Sequence, residues 1–125
     1  NDILLKYLIE KYGINRIVFK NHPSRNKKYS VENELIEIPN YLAGNLICDQ
    51  FDIIIGTTSA LLYEAANRDI LTISTIDYFL KNDGYGRKIK EYLSANLNKG
   101  KYIKYFQTIS ELEEILNNEN NKIYH

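Results

Sequence analysis

The sequence predicts an α/β protein in which helices cover both faces of a doubly wound parallel sheet. Segments with strand character alternate with segments of helical spacing, in the order α-β-β-α-β-α-β-α-β-α. Residues 52–55 are apolar after the first position, which is typical of a central parallel strand buried on both faces. The length of 125 residues suits one domain, so we expect a single domain over residues 1–125.

One helix and two short strands are predicted in the N-terminal part. Apolar residues recur at helical spacing from Ile3 and stop at Gly13, and glycine is common immediately after a helix. The β-branched segment 16–20 and the alternating segment 34–38 are each closed by turn-forming residues, so both predict strands. Residues 41–48 are predicted to form the next helix.

The C-terminal part contains three predicted strands, each followed by a predicted helix. Apolar residues recur at helical spacing from Ile89 and stop before Gly100, and glycine commonly follows a helix. Ser110 and Glu113 have the spacing of a capping box, which predicts the start of the closing helix. The strands are predicted at 52–55, 70–73 and 102–106, and the helices at 60–67, at 89–97 and from 110 onwards.

Composition argues against several classes of function. Sixteen basic residues balance sixteen acidic ones, so no overall charge favours binding to nucleic acid or to a membrane surface. Cys48 is the single cysteine, which excludes an internal disulfide and a multi-cysteine zinc site. No apolar run approaches the roughly 18 residues of a membrane span. The chain lacks methionine and begins at Asn1, so we expect it to be a piece of a longer protein.

Three hydroxyl residues follow a glycine where a predicted strand meets a predicted helix. Gly56 ends the strand, and the helix starts at Ala60 after Thr57, Thr58 and Ser59. Gly56 is expected to let the backbone turn sharply, and the unpaired N–H groups and dipole of a helix start favour an anion. Hydroxyl and amide groups together suit a phosphate. The alternative is that one of these hydroxyls only caps the helix.

A second polar loop follows an earlier predicted strand and should project from the same edge of the sheet. His22 and Pro23 lie at its start, and Arg25, Lys27 and Lys28 add positive charge. An imidazolium can neutralise a phosphate or donate a proton to a phosphate leaving group, while proline restricts the loop. A histidine in a loop can equally be an ordinary polar residue, so its pairing with the glycine turn is what favours a binding site.

Three segments resemble the C-terminal half of GT-B glycosyltransferases, and most closely that of bacterial sialyltransferases and polysialyltransferases. They are residues 20–24 (KNHPS), 38–42 (IPNYL) and 51–65 (FDIIIGTTSALLYEA). The resemblance implies that the chain is one half of a GT-B architecture, a Rossmann-like domain that binds a nucleotide-sugar donor. It also implies CMP-sialic acid as the donor, a bacterial surface glycan as the acceptor, and neither a metal nor another cofactor.

The resemblance also implies roles for individual residues. It places His22 on the donor phosphate, as the acid that helps CMP leave, with Pro23 shaping the loop. Thr58 and Ser59 match the hydroxyl pair that holds this phosphate at a helix start. Glu64 matches a glutamate that meets the donor sugar in many GT-B enzymes, with a solvated helix carboxylate as the alternative.

Two departures from the family pattern concern the nucleotide and the catalytic base. Asn45 lies where the family places a glutamate for the ribose hydroxyls, and Ala43 replaces a proline. The base of this family belongs to an acidic motif in an N-terminal domain, so that domain is expected as a missing partner. Residues 82–84 (NDG) mimic the motif but follow the histidine loop, and they predict a turn.

These observations predict the donor-binding domain of a glycosyltransferase that transfers sialic acid to a bacterial surface glycan. A CDP-glycerol or other polymer-forming transferase is one alternative, because it would share the histidine loop and the hydroxyl-rich turn. A Rossmann-like binding module without transfer chemistry is the other. The implied location is the cytoplasm, either free or peripheral at the inner membrane, and neither a nucleic-acid partner nor a transmembrane segment is expected.

Overall fold

The computed structural model describes residues 2–13, 18–20, 36–38, 48–57, 60–80 and 84–123. The chain divides into two compact units, Asn1–Ala43 and Gly44–His125. The first unit contains helix α1 (Asp2–Tyr12) and strands β1 (Val18–Lys20) and β2 (Ile36–Ile38). The second contains a 3-10 turn (Cys48–Gln50), β3 (Ile53–Gly56), α2 (Ala60–Asn67), β4 (Leu71–Ser74), α3 (Ile76–Leu80), α4 (Gly84–Ala95), β5 (Lys104–Tyr105) and α5 (Ile109–Ile123).

The first unit matches the elements predicted for it. Helix α1 buries Leu4 and Leu8, which lie one turn apart on the same face. The helix ends at Gly13, which has a φ of 86° and donates its N–H to the Ile9 carbonyl at 2.7 Å. Strands β1 and β2 fall within the predicted segments and pair in parallel. The helix predicted at 41–48 lies outside the described residues apart from its last position.

An open parallel sheet in the order β3-β4-β5 organises the second unit. The register pairs Gly56 with Ser74 across β3 and β4, and Ser74 with Tyr105 across β4 and β5. Helix α2 connects the first two strands, and helices α3 and α4 connect β4 to β5, as parallel neighbours require. The predicted α/β class is therefore confirmed, and this parallel sheet is compatible with a Rossmann-like fold.

Helices α2 and α4 share a core with one face of this sheet. Leu62 and Ala66 of α2 form a buried cluster with Leu93 of α4 and with Ile103, next to β5. Fully burying an aliphatic side chain of this size contributes about 1.5–3 kcal/mol. Tyr105 packs against the same cluster, so this end of β5 is anchored to both helices.

The predicted bounds of α2 agree with the structure, but those of α4 do not. Helix α4 begins at Gly84, five residues before the predicted start at Ile89. The turn predicted at residues 82–84 lies outside the described residues apart from Gly84, so it stays a prediction. The helix ends at Ala95, after which the Asn96 N–H bonds to the carbonyl of Leu93 at 3.2 Å. Gly100 lies beyond that end with a φ of 84°, in the turn before β5. Helix α3 was not predicted, because its five residues are too short to show a helical period.

The start of α5 is capped by residues other than the predicted pair. Thr108 accepts a hydrogen bond from the Glu111 N–H at 3.2 Å, and the Glu111 carboxylate accepts one from the Gln107 N–H at 2.7 Å. The capping box predicted at Ser110 and Glu113 is therefore wrong by two residues. Both pairs have the same sequence spacing, and only the earlier one lies where the chain leaves β5.

Candidate functional site

Gly56 packs close to Leu62 of α2. It is the last residue of β3, and its carbonyl accepts a hydrogen bond from the Thr75 N–H at 2.9 Å. A Cβ atom added to Gly56 would lie 3.3 Å from Leu62 Cδ2, while its φ falls outside the left-handed region. The structure therefore gives this glycine a packing role. The sharp turn expected after it involves residues 58 and 59, which lie outside the described residues, so the turn stays a prediction.

A hydroxyl cluster, formed by Thr57, Ser74 and Thr75, lies at the carboxyl ends of β3 and β4. The hydroxyl oxygens of Thr57 and Thr75 are 2.7 Å apart. The Ser74 hydroxyl donates to the Thr57 carbonyl at 2.9 Å and accepts from the Ile76 N–H at 3.2 Å. Ser74 thus ties the two strand ends together, because its hydroxyl both donates and accepts.

Within the described residues, the Thr57–Thr75 pair keeps one hydrogen-bond donor for another acceptor. When two hydroxyls bond to each other, one donates its proton and the other still carries an unused O–H. Thr75 is 3% exposed, whereas Thr57 is half-buried at the end of β3. The pair can therefore present a hydroxyl proton to an oxygen of a ligand that lies beyond the sheet edge.

A charged trio, formed by the Asp77–Lys90 ion pair and the uncharged ring of Tyr105, lies at the same edge of the sheet. Lys90 Nζ is 2.6 Å from Asp77 Oδ2 and 4.5 Å from the centre of the Tyr105 ring. The side chains of Lys90 and Asp77 are 36% and 18% exposed, so solvent still reaches both groups. Burial, followed by the charge of Asp77, raises the pKa of Tyr105. Because Tyr105 is the register partner of Ser74, the charged trio adjoins the hydroxyl cluster.

Some of the predicted site residues can be located and others cannot. Gly56 and Thr57 lie at the carboxyl end of β3, as predicted. Glu64 lies in the second turn of α2 and is half-buried. The remaining predicted site residues, His22, Pro23, Asn45, Thr58 and Ser59, lie outside the described residues, so their convergence on one pocket stays a prediction.

Sequence reasoning missed Ser74, Thr75 and the charged trio. Ser74 ends β4 and Thr75 follows it, just as Gly56 ends β3 and Thr57 follows it, so the repeated pattern of strand and hydroxyls was a usable signal. The charged trio had no such signal. Its members lie on α3, α4 and β5, and only the folded chain brings them together.

Other features of the described residues do not add to this site. A cavity of about 150 Å³ lies at the opposite, amino end of β4 and β5, between Thr72 and Lys101. The described part of the chain contains no group of three or more metal-ligating side chains that could hold an ion. Each helix within it is too short or too polar to cross a bilayer.

Comparisons of the chain with family models, with curated proteins and with solved structures found no match. The geometry of the sheet edge and the sequence motifs are therefore the basis for proposing a function.

Proposed function

We propose that the chain binds a nucleotide-sugar donor and forms the donor-binding part of a glycosyltransferase. The supporting observation is the hydroxyl cluster, which joins the ends of two parallel strands immediately before α2. Ligands of parallel α/β sheets bind beyond the carboxyl ends of the strands, where loops meet helix N-termini. This edge therefore offers a hydroxyl donor and the start of a helix to the same ligand.

In this proposal the donor phosphate is held at residues 56–59. The N–H groups and dipole at the start of α2 attract an anion, and the spare O–H of the Thr57–Thr75 pair donates to a phosphate oxygen. Packing of Gly56 against Leu62 keeps the end of β3 close to the first turn of this helix. Thr58 and Ser59 would supply the remaining hydroxyls.

The finer proposal is transfer of sialic acid from CMP-sialic acid to a glycan. The bond between the anomeric carbon and the donor phosphate oxygen breaks, and a new bond forms to a hydroxyl oxygen of the acceptor. His22 would meet the charge that develops on the departing phosphate, and a base from another domain would take the acceptor proton. The sequence resemblance supports this choice of donor.

A nucleotide panel tests the proposal directly. Binding of CMP, CDP, UDP and GDP to the chain is measured by calorimetry, and we expect CMP to bind most tightly. Thr57→Val keeps the shape of the side chain but removes the hydroxyl, and a lost hydrogen bond to a charged phosphate should weaken CMP binding about tenfold or more.

The matched control is Thr72→Val. Thr72 lies on β4, is 2% exposed, and donates its hydroxyl to the Ile70 carbonyl at the opposite end of the strand. We expect this variant to bind CMP like the unmodified chain. Tightest binding of CDP would favour the polymer-forming transferase, and absence of binding by all four nucleotides would refute a donor-binding role.

A further inference from the structure

Asp77 occupies a position that suits a carboxylate for nucleotide binding. It lies in the first turn of α3, which follows β4, the strand next to β3 in the sheet. In dinucleotide-binding α/β units an acidic residue about 20 positions after the glycine turn hydrogen-bonds the ribose. Asp77 follows Gly56 by a comparable number of positions in the sequence, and it lies just after the end of the corresponding strand.

The contacts of Asp77 leave part of its carboxylate open. Oδ2 accepts a hydrogen bond from Lys90 Nζ at 2.6 Å, while within the described residues Oδ1 has no hydrogen-bond donor. The side chain is 18% exposed, so part of it remains in contact with solvent. An ionised carboxylate only accepts hydrogen bonds, and it therefore suits hydroxyl groups and not phosphate oxygens.

Lys90 both orients this carboxylate and offsets its charge. Its ammonium lies between Asp77 and the face of the Tyr105 ring, at 4.5 Å from the ring centre. Tyr105 is packed against the buried core cluster, so the lysine rests on a fixed surface. A carboxylate so close to a phosphate site would repel the ligand, and the paired ammonium reduces that repulsion.

We propose that Asp77 accepts hydrogen bonds from the ribose hydroxyls of the bound nucleotide, and that Lys90 holds its carboxylate in position. The inference rests on the proposed function, because it assigns a further subsite to the same nucleotide. It also gives the ribose a carboxylate in this chain, in which Asn45 replaces the glutamate expected from the family pattern. Asp77 is thus a specificity-determining residue, and Lys90 is a positioning residue.

The test compares CMP with 2′,3′-dideoxy-CMP, which lacks both ribose hydroxyls. A hydrogen bond to a charged group is strong enough that the unmodified chain should prefer CMP about tenfold or more. Asp77→Ala removes both carboxylate oxygens, and the preference should fall to within about twofold. Because the ratio compares two ligands of equal charge, it is insensitive to the general effect of leaving Lys90 unpaired.

Asp49→Ala is the control for removing an aspartate from an ion pair. Asp49 pairs with Arg68 at 3.1 Å, and its side chain is 70% exposed. This variant should keep the preference for CMP. If Asp77→Ala does not fold, Lys90→Gln replaces it. Loss of the orienting ammonium should lower the preference about threefold or more.

The outcomes separate this inference from the function on which it rests. Tight CMP binding with equal affinity for the dideoxy analogue overturns the ribose subsite and leaves donor binding intact. An unchanged preference in folded Asp77→Ala, or in Lys90→Gln where that variant is used, has the same consequence. Failure of every nucleotide to bind the unmodified chain overturns both proposals.

Discussion

Replacing Gly56 by alanine should destabilise the chain through contact with one neighbouring side chain. The new Cβ would lie 3.3 Å from Leu62 Cδ2 and 3.8 Å from Leu62 Cγ. Leu62 is 1% exposed and belongs to the core cluster, so it cannot move away without disturbing other contacts. Overpacking of this kind costs about 1–3 kcal/mol. Alanine also restricts the conformations of the unfolded chain, and this effect offsets the cost of overpacking by about 0.4–1 kcal/mol. We therefore expect a net loss of about 1 kcal/mol, within a range of about 0–2.6 kcal/mol.

A double-mutant cycle tests whether Leu62 is the cause. Leu62→Ala alone should cost about 2–5 kcal/mol, because it leaves a cavity in the core. In that background the Cβ of Gly56→Ala meets no side-chain carbon of Leu62, and the substitution should be neutral or stabilising. The coupling energy between the two positions should thus reach about 1 kcal/mol or more.

Urea unfolding followed by far-ultraviolet circular dichroism gives the free energies, since the chain has no tryptophan. Gly13→Ala is the control for backbone conformation. Gly13 has a φ of 86° and open space around its Cβ position, so its substitution should cost about 1 kcal/mol irrespective of neighbours. If Gly56→Ala costs the same with and without Leu62→Ala, packing is not the reason for the glycine, and the close-approach explanation is refuted.

Three further predictions concern stability. Asp69 follows the end of α2 and has a φ of 66°, so Asp69→Gly should relieve backbone strain. The substitution also removes an exposed ion pair with Lys101, and the net gain in the free energy of unfolding should be about 0.5 kcal/mol, measured by urea unfolding. Burial and the charge of Asp77 raise the pKa of Tyr105 above its ordinary 10.0, so the unfolded state loses the proton first. Stability should therefore fall as the pH rises above about 10, and Tyr105→Phe should reduce this fall in urea midpoints measured between about pH 9 and 11. Thr108→Ala should lower the melting temperature by removing a cap worth about 1 kcal/mol, and equal loss from Ser110→Ala would contradict the observed cap.

Much of the local structure follows from sequence because local interactions decide it. Helix α2 has the predicted bounds, and Gly13 ends α1 in the left-handed conformation that glycine adopts at low cost. Strands β3 and β4 lie within one residue of their predicted segments, since an apolar β-branched run can be buried on both faces of a parallel sheet. The short helix α3 escaped prediction, because five residues show too little periodicity.

The candidate site could be predicted only in part. The glycine and hydroxyl pattern after β3 correctly indicated the strand end at which Thr57 lies. It did not indicate which residues Thr57 contacts, since its partner Thr75 is 18 positions away in sequence. Hydrogen bonds between strand ends depend on sheet register, and the register is set by packing of whole faces.

By itself the sequence determined the α/β class, the bounds of α2 and the presence of hydroxyls after β3, because periodicity and turn chemistry act over a few residues. The tertiary structure decided that Gly56 serves the packing of β3 on Leu62, since that requirement comes from a side chain on another element. It also decided that Asp77, Lys90 and Tyr105 form one charged trio beside the hydroxyl cluster. The physical reason is the same in both cases: contacts between different elements depend on strand order, register and helix packing, which local patterns do not specify.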